Sequence, residues 1–165
     1  MSDNEVKKIQ QILQSVDAEF QVLEHEPVRT SEDAARVRKN PLCEGIKAIV
    51  VKPRETKSTG GITYYVADVS ADKKVDLKKL AEIIGVKSLT LAPPDEVLQV
   101  TGCEVGGVPP LGHKTDLQIY VDESVFENEF NEFNAGLTTV SIRVESKHLK
   151  KAFEKIGAKI VEIAK

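Results

Sequence analysis

The sequence predicts an α+β fold in which a mixed, barrel-like sheet is flanked by helices. Strand-like segments outnumber helical ones, they do not follow a strict β-α-β alternation, and no internal repeat is present. The chain has 165 residues, close to the ~150 residues typical of one domain and enough to enclose a core. We therefore expect one domain over residues 1–165.

Hydrophobic spacing and turn formers predict the elements of the first half. Apolar residues at three- and four-residue steps from Val6 to Val16 predict an amphipathic helix. Thr30, with Asp33 three residues later, resembles a capping box at a helix start. A β-branched run before Pro53 indicates a buried strand, and the turn formers after it predict a hairpin. The expected elements are helices over about 4–16 and 31–39 and strands over 20–23, 46–51 and 62–69, the last two joined by a turn at 58–61.

Capping residues define most of the second half. Asp76 is placed to cap a helix that Gly85 ends, a second helix begins at the proline pair 93–94 and stops at Gly102, and Ser146 is placed to cap the last helix. The remaining strands are expected over 88–91, 117–121, 138–144 and 158–163. Of these, the strands over 117–121 and 138–144 alternate as if one face were exposed.

Composition excludes several classes of protein. Lys and Arg number 23 against 26 Asp and Glu, which gives a net charge of −3, and 41% of residues are hydrophobic. This is the profile of an ordinary globular protein and not of a disordered chain, and the mild acidity argues against a protein that coats long nucleic acid. No apolar run suggests a membrane span, and the start MSDNEVKKIQ lacks a signal-peptide core, so we expect a cytoplasmic location without membrane or DNA partners.

Neither the cysteines nor the histidines have metal-ligand spacing. Cys43 and Cys103 form no C-x-x-C pair, and His25, His113 and His148 show no H-E-x-x-H pattern. We therefore expect no metal and no cofactor. Cys103 can be interpreted as a nucleophile or as a packed thiol, and its acidic neighbour in the sequence favours the packed thiol.

The segment GCEVGGVPPLG, residues 102–112, is the sharpest local feature. Glycine lets backbone amides approach a ligand closely and proline fixes the path of the chain, so this loop could present N–H groups to a carbonyl or phosphate. It could equally be a structural turn, which uses the same residues. The pattern is neither G-x-G-x-x-G nor a P-loop, which disfavours dinucleotide and nucleoside-triphosphate binding.

Lys47 stands out because of its setting in the apolar run IKAIVV. On a strand it shares a face with Ile49 and Val51, and the other face is equally apolar, so its ammonium needs a partner. One interpretation is an edge lysine whose stem covers apolar surface while its head reaches water. The other is a cation held in a cleft for an anionic ligand.

Several segments together resemble the YbaK and prolyl-tRNA synthetase-associated editing domain family. The resemblance runs in the family's order from about His25 to Leu149, and its joint spacing is more specific than any one motif. The segments are HEPVRTSEDAARV (25–37), the lysine strand IKAIVVK (46–52), GGVPP (106–110) with the family's G-x-x-x-P pattern, IYVDESVF (119–126) and NAGLTTVSIRV (134–144).

The resemblance implies a hydrolase that removes a wrongly attached amino acid from the 3′ end of a transfer RNA. It implies a freestanding deacylase with the editing-domain fold, since no synthetase catalytic domain fits in this length. Its substrates would be mischarged tRNAs carrying a small residue such as Ala, Ser or Cys, with tRNA-Pro as one candidate, because editing is needed where a synthetase pocket cannot reject a smaller substrate. An aminoacyl-tRNA synthetase is a second candidate partner.

The resemblance also assigns roles to individual residues. Lys47 would hold the terminal phosphate or ribose, and amides in the glycine loop would stabilise the oxyanion, while the substrate's own neighbouring hydroxyl helps to orient water. The loop residues assigned to catalysis are Gly106, Gly107, Val108 and Pro110. His25 and Thr30 would line the pocket, and Asp122 and Gly136 are carried over either as substrate-binding or as structural positions.

Two other functions use the same residues. A non-catalytic module could bind the aminoacylated end or a nucleotide, and a structural subunit could serve within a synthetase complex. Basic side chains could form a local rim for RNA, although their usual place is a solvated surface. These are Arg29, Arg36, Arg38, Lys39, Lys52, Arg54, Lys57 and Lys114.

Overall fold

The computed structural model describes residues 2–55 and 61–165 and confirms an α+β fold. The helices are α1 (Ser2–Gln14), α2 (Ser31–Arg38), α3 (Leu77–Ile84), α4 (Pro94–Thr101) and α5 (Ser146–Lys155). The strands are β1 (Phe20–Glu24), β2 (Ile46–Pro53), β3 (Tyr65–Ser70), β4 (Leu89–Leu91), β5 (Gln118–Asp122), β6 (Phe130–Leu137), β7 (Val140–Glu145) and β8 (Lys159–Val161). In the described part of the chain, no helix is both long and apolar enough to cross a membrane.

The strands form two open sheets. A five-stranded sheet has the order β4-β2-β3-β5-β8, with β2 antiparallel to β3 and to β4 and with β3, β5 and β8 mutually parallel. An antiparallel three-stranded sheet has the order β1-β7-β6. A parallel bridge from Gly45 to Glu132 connects β6 to the residue before β2. The sheet is mixed as predicted, but the barrel-like closure is wrong, because β6 pairs along its length with β7 instead of closing the larger sheet.

The main core lies between the two sheets. Val66, Ile119 and Val121 of the larger sheet face Phe133 and Ile142 of the smaller one. Helices α1 and α5 close this core with Ile9, Leu13, Leu149 and Phe153, each fully buried. On the opposite face of the larger sheet, Leu80 and Ala81 of α3 pack on β3 and β5. Strand β5 was expected to expose one face, but this second layer covers that face while the main core covers the other.

Most predicted elements are confirmed, including the β2–β3 hairpin, and residues 58–60 of its predicted turn lie outside the described residues. Besides the sheet closure and the face of β5, two local features differ from expectation. Strand β6 was not predicted. Ser146 does not cap α5, because its hydroxyl accepts a hydrogen bond from Asn131 Nδ2 at 2.7 Å while Glu145 occupies the cap position.

Candidate active site

A cavity of about 190 Å³ lies where α2, the start of β2, the glycine loop and β6 meet. It brings together distant parts of the chain, including the predicted residues Thr30, Lys47, Gly106 and Val108. Its lining residues are Arg29, Thr30, Ser31, Ala34, Arg38, Gly45, Ile46, Lys47, Ala48, Ala71, Gly106, Val108 and Asn134.

Lys47 reaches the cavity because one edge of β2 is open there. Strand β4 pairs with β2 only from Val51 to Pro53, so the first half of β2 is hydrogen bonded to β3 alone within the larger sheet. The Lys47 side chain is half-buried, and among the described residues it has no carboxylate within ion-pair distance. Its positive charge is therefore available to a ligand.

The glycine loop begins with a tight turn at the cavity wall. Gly106 has φ of +95°, and the amide of Gly107 donates to the carbonyl of Glu104 at 2.9 Å, which closes the turn. The Gly107 amide is thus occupied, and the expectation that it serves an oxyanion is not supported. Among the described residues, the amides of Gly106 and Val108 have no hydrogen-bond acceptor, so these two N–H groups remain available.

The rest of the loop is anchored in the interior. Val108 packs in a small cluster with Val50 of β2 and Val97 of α4. The imidazole of His113 donates from Nε2 to the carbonyl of Pro109 at 2.7 Å. Burial lowers the pKa of His113 to about 4, so the ring is neutral at pH 7. Pro110 is buried and lies outside the cavity lining.

Helix α2 supplies the opposite wall. Thr30 caps it as predicted, with its hydroxyl accepting a hydrogen bond from the Asp33 amide at 3.0 Å. Four-residue spacing then places Ala34 and Arg38 below Thr30 on the same face, and all three line the cavity. Arg38 is expected on a solvated rim, but its side chain is only 4% exposed.

A hydrogen-bond network links Arg38 to the glycine loop. Its Nε donates to Ser141 Oγ at 2.9 Å, and its Nη2 donates to Asn134 Oδ1 at 2.8 Å. The Asn134 amide in turn donates to the carbonyl of Gly106. His25 does not line the cavity, but its Nε2 meets Ser141 Oγ at 2.7 Å, so it supports the cavity through this network.

Buried carboxylates balance part of the charge behind the cavity. Glu132, with a side chain 3% exposed, lies 3.8 Å from Arg38 Nε and 2.9 Å from Arg143 Nη1. Arg143 also contacts Glu44 at 3.1 Å. Burial lowers the pKa of Arg38, and the charge of Glu132 opposes that shift. Arg38 therefore has its counter-charge behind it, unlike Lys47.

Asp122 lies away from the cavity and ties the end of β5 to the residues that follow β8. Its carboxylate accepts hydrogen bonds from the amides of Ile163 at 2.7 Å and Ala164 at 2.9 Å and from the hydroxyl of Ser124. Burial raises the pKa of Asp122, but these bonds outweigh burial and hold it below its usual value. These contacts give it a structural part.

Gly136 also lies outside the cavity lining. It has φ of +99° and sits in a register shift of β6, where its amide donates to the carbonyl of Gly107 at 3.0 Å. It therefore joins β6 to the glycine loop.

Cys103, within the same loop, is fully buried, and that burial raises its thiol pKa to about 12.

The predicted basic rim is divided among several environments. Arg29 and Arg38 line the cavity, whereas Lys52 is paired with Glu96 at 2.8 Å. Lys57 lies outside the described residues. Arg38 was among the rim candidates and only its burial was missed, although its four-residue spacing from Thr30 and Ala34 carried a signal. Asn134 and Ser141 lie in the segment NAGLTTVSIRV, but nothing local indicated their role, because Arg38 and the glycine loop, which they bind, are more than 25 residues away along the chain.

Comparison with known proteins gives a consistent result. The family model described as "Aminoacyl-tRNA editing domain" matches residues 25–152, which include every residue that lines the cavity. A protein of Escherichia coli (strain K12), named "Multifunctional Ser/Thr-tRNA deacylase ProXp-y", is 36% identical over 133 residues, which are 79% of this chain and 77% of that one.

Two further proteins are similar over different extents. The proline–tRNA ligase of Fervidobacterium nodosum is 29% identical over 87 residues, which are 53% of this chain and 14% of the ligase. A crystal structure of a protein suggested to be a trans-editing enzyme for prolyl tRNA synthetase superposes with a TM-score of 0.76, with 24% identity and 98% and 97% of the two chains covered. This likeness shows the same fold.

Proposed function

Because the chain belongs to the aminoacyl-tRNA editing domain family, we propose that it is a deacylase that cleaves the ester between a wrongly attached amino acid and the 3′ end of a transfer RNA, with the cavity around Lys47 as its active site. The E. coli relative, matched over 77% of its length, is itself named as a deacylase, which supports an activity exercised in trans.

The observation that carries this proposal is the charge of the cavity. Arg29, Arg38 and Lys47 line it, and in the described part of the chain none of its lining side chains is acidic. A cavity with this charge attracts the phosphate and the developing oxyanion at an RNA 3′ end, although the whole chain carries a net charge of −3.

The hydrolytic step needs an oxyanion site and an oriented water. Water adds to the ester carbonyl, the carbonyl oxygen becomes negative, and the free amides of Gly106 and Val108 are placed to stabilise it. When the carbon–oxygen bond breaks, the amino acid leaves as a carboxylic acid and the ribose oxygen takes the proton from water. No histidine, cysteine or carboxylate lines the cavity among the described residues, so the neighbouring ribose hydroxyl is the group that orients water.

The lining and the volume of the cavity favour a small aminoacyl group as the substrate. Five of its lining residues, Ala34, Gly45, Ala48, Ala71 and Gly106, have no side chain beyond Cβ, yet the volume is only about 190 Å³. Alanine, serine and cysteine fit this description. Similarity to part of a proline–tRNA ligase makes tRNA-Pro the first carrier to examine, with a synthetase as a second partner.

Incubating the protein with tRNA-Pro charged in turn with alanine, serine, threonine, cysteine and proline tests this function. Loss of the labelled amino acid and retention of the RNA on a filter are measured in parallel. We expect hydrolysis of at least one small mischarged amino acid and none of prolyl-tRNA. Binding of the charged RNA without loss of the ester would instead identify a binding module.

A further inference from the structure

We infer that Arg38 determines the amino-acid specificity of this site: its free Nη1 donates a hydrogen bond to the side-chain oxygen of a hydroxyl-bearing aminoacyl group. The inference rests on the proposed function and names the residue that favours hydroxyl-bearing aminoacyl esters over alanyl esters.

Arg38 is held in one orientation. Two of its three nitrogens are occupied, Nε by Ser141 at 2.9 Å and Nη2 by Asn134 at 2.8 Å. The side chain is 4% exposed, and these two bonds fix the orientation of its guanidinium group. Its Nη1 has no acceptor among the described residues, although the residue lines the cavity. A donor fixed by its neighbours and left unpaired is placed for a ligand.

The space beside Nη1 is small. A Cβ added at Gly45 would lie 3.6 Å from Arg38 Nη1, and the same Cβ would lie 3.1 Å from Cβ of Ala71. Ala34, one turn before Arg38, is also buried. The recess in front of the guanidinium therefore admits a group of a few atoms, such as a hydroxymethyl or hydroxyethyl side chain.

The charges favour a neutral oxygen at Arg38 and an anion at Lys47. Glu132 lies 3.8 Å behind Arg38 and supplies its counter-charge, so this cation does not require an anionic ligand. Lys47 has no acidic neighbour of that kind among the described residues and suits the phosphate or the ribose end. Arginine has five donors and no acceptor, so a hydroxyl oxygen can pair with Nη1, whereas the methyl group of alanine leaves it unpaired.

The test compares seryl and alanyl esters carried by the same tRNA, in single-turnover reactions of the whole chain. A hydrogen bond to a charged donor corresponds to about a 10- to 100-fold preference. We expect the unmodified protein to prefer the seryl ester by that factor. Arg38→Met keeps the length of the side chain without its donors, and we expect it to bring the seryl-to-alanyl ratio near one.

Two further variants separate recognition from support of the fold. Gly45→Ala keeps both fixed bonds of Arg38 and adds a methyl group in front of Nη1, and we expect it also to lower the ratio. Its contact with Ala71 is tight, so thermal melting accompanies the rates. Arg36→Met removes a 67% exposed arginine from the same helix, and we expect it to leave the ratio unchanged.

The outcomes distinguish this inference from the function it rests on. A ratio that stays the same while Arg38→Met and Gly45→Ala slow both esters equally would assign Arg38 a purely structural part and overturn the inference alone. A ratio near one in the unmodified protein would overturn it as well. If Arg38→Met fails to fold, the ratio measured for Gly45→Ala decides. Hydrolysis of neither ester, nor of any other in the panel, would overturn the proposed function itself.

Discussion

Two cations of the cavity differ in how the fold treats their charge. Arg38 is buried with Glu132 3.8 Å behind it, so its charge is compensated before a ligand arrives. Lys47 lies on the open edge of β2 without a carboxylate partner among the described residues. The two cations are therefore expected to bind different groups of the substrate. An uncompensated ammonium favours a phosphate, whereas a compensated guanidinium favours a neutral oxygen.

Cys103→Ala is expected to retain most deacylase activity. Its thiol is fully buried and its pKa is raised to about 12, so the thiolate needed for attack on an ester is scarce at pH 7. Single-turnover rates of Cys103→Ala and of the control Cys43→Ala are compared with the unmodified protein. A trapped acyl-thioester on Cys103 would contradict this expectation and establish covalent catalysis.

His113 should make stability fall in acid. Its pKa is about 4 in the folded chain and 6.5 as a free side chain, so below pH 6.5 the unfolded state binds more protons. The stabilisation is therefore complete above pH 6.5 and is lost as pH falls toward 4. At ~1.4 kcal/mol per pKa unit, the loss is about 3 kcal/mol.

Urea unfolding between pH 7 and pH 4 measures this effect. His113→Gln keeps an N–H donor near the carbonyl of Pro109 and does not titrate, so its free energy of unfolding should fall less over that range. The same pH dependence in both proteins would show that His113 is not the group responsible.

Local signals predicted single residues well when their partners are near in the chain. Thr30 was identified from Asp33 three residues later, and the structure has that hydrogen bond. Arg38 was expected on the surface, because its burial depends on Ser141 and Asn134, about 100 residues away. A single sequence does not show that those strands cover it.

Among the elements, the glycine loop contains both a residue with positive φ, Gly106, and the amides of the candidate oxyanion site. Gly106→Val should lower deacylation about tenfold or more, because a β-branched residue at φ of +95° costs about 1–2 kcal/mol and shifts the free amides. Pro110→Ala should cost less, because losing the proline mainly adds about 0.4–1 kcal/mol of chain entropy to the unfolded state.

Single-turnover rates and melting temperatures of both loop variants test this order. The space around Gly106 does not account for the effect, since an added Cβ would approach no atom closer than 3.8 Å. Equal and negligible effects on hydrolysis in folded variants would show that the loop is only a structural turn.

Strand β6 shows why some elements escape prediction. Its buried positions include Asn131 and Glu132, which interrupt the apolar alternation expected of a strand. One polar atom of each is paired inside the fold: Asn131 Nδ2 donates to Ser146 Oγ, and Glu132 Oε1 accepts from Arg143, whereas Asn131 Oδ1 and Glu132 Oε2 have no hydrogen-bond partner among the described residues. These long-range partners make polar burial acceptable, and the local pattern carries no sign of them.

For the whole molecule, the class of fold followed from the order of elements, but closure of the sheet did not. Periodicity identified the strands of the larger sheet, including the hairpin of β2 and β3. It could not decide whether β6 and β7 would join that sheet or pack on it, because pairing between distant strands depends on the whole core. The cavity lies where the start of β2 meets β6, so its shape depends on an arrangement of strands that the sequence did not predict.

Deacylation by the whole chain is expected to survive a chelator. Among the described residues, no group of three or more His, Cys, Asp and Glu side chains could hold a metal ion. Rates are measured with and without EDTA, on protein dialysed beforehand. Loss of activity that zinc restores would contradict the proposed chemistry.

The central claim is that the ester is hydrolysed in the cavity around Lys47. Single-turnover deacylation by Lys47→Ala tests this claim most directly. Loss of a charged contact worth about 3 kcal/mol should slow the reaction about 100-fold, with an unchanged melting temperature. Lys47→Arg should restore activity only in part, because a planar guanidinium does not replace a compact ammonium. Lys87→Ala, which removes a lysine 82% exposed, should react as the unmodified protein does. A folded Lys47→Ala protein with full activity would contradict the claim.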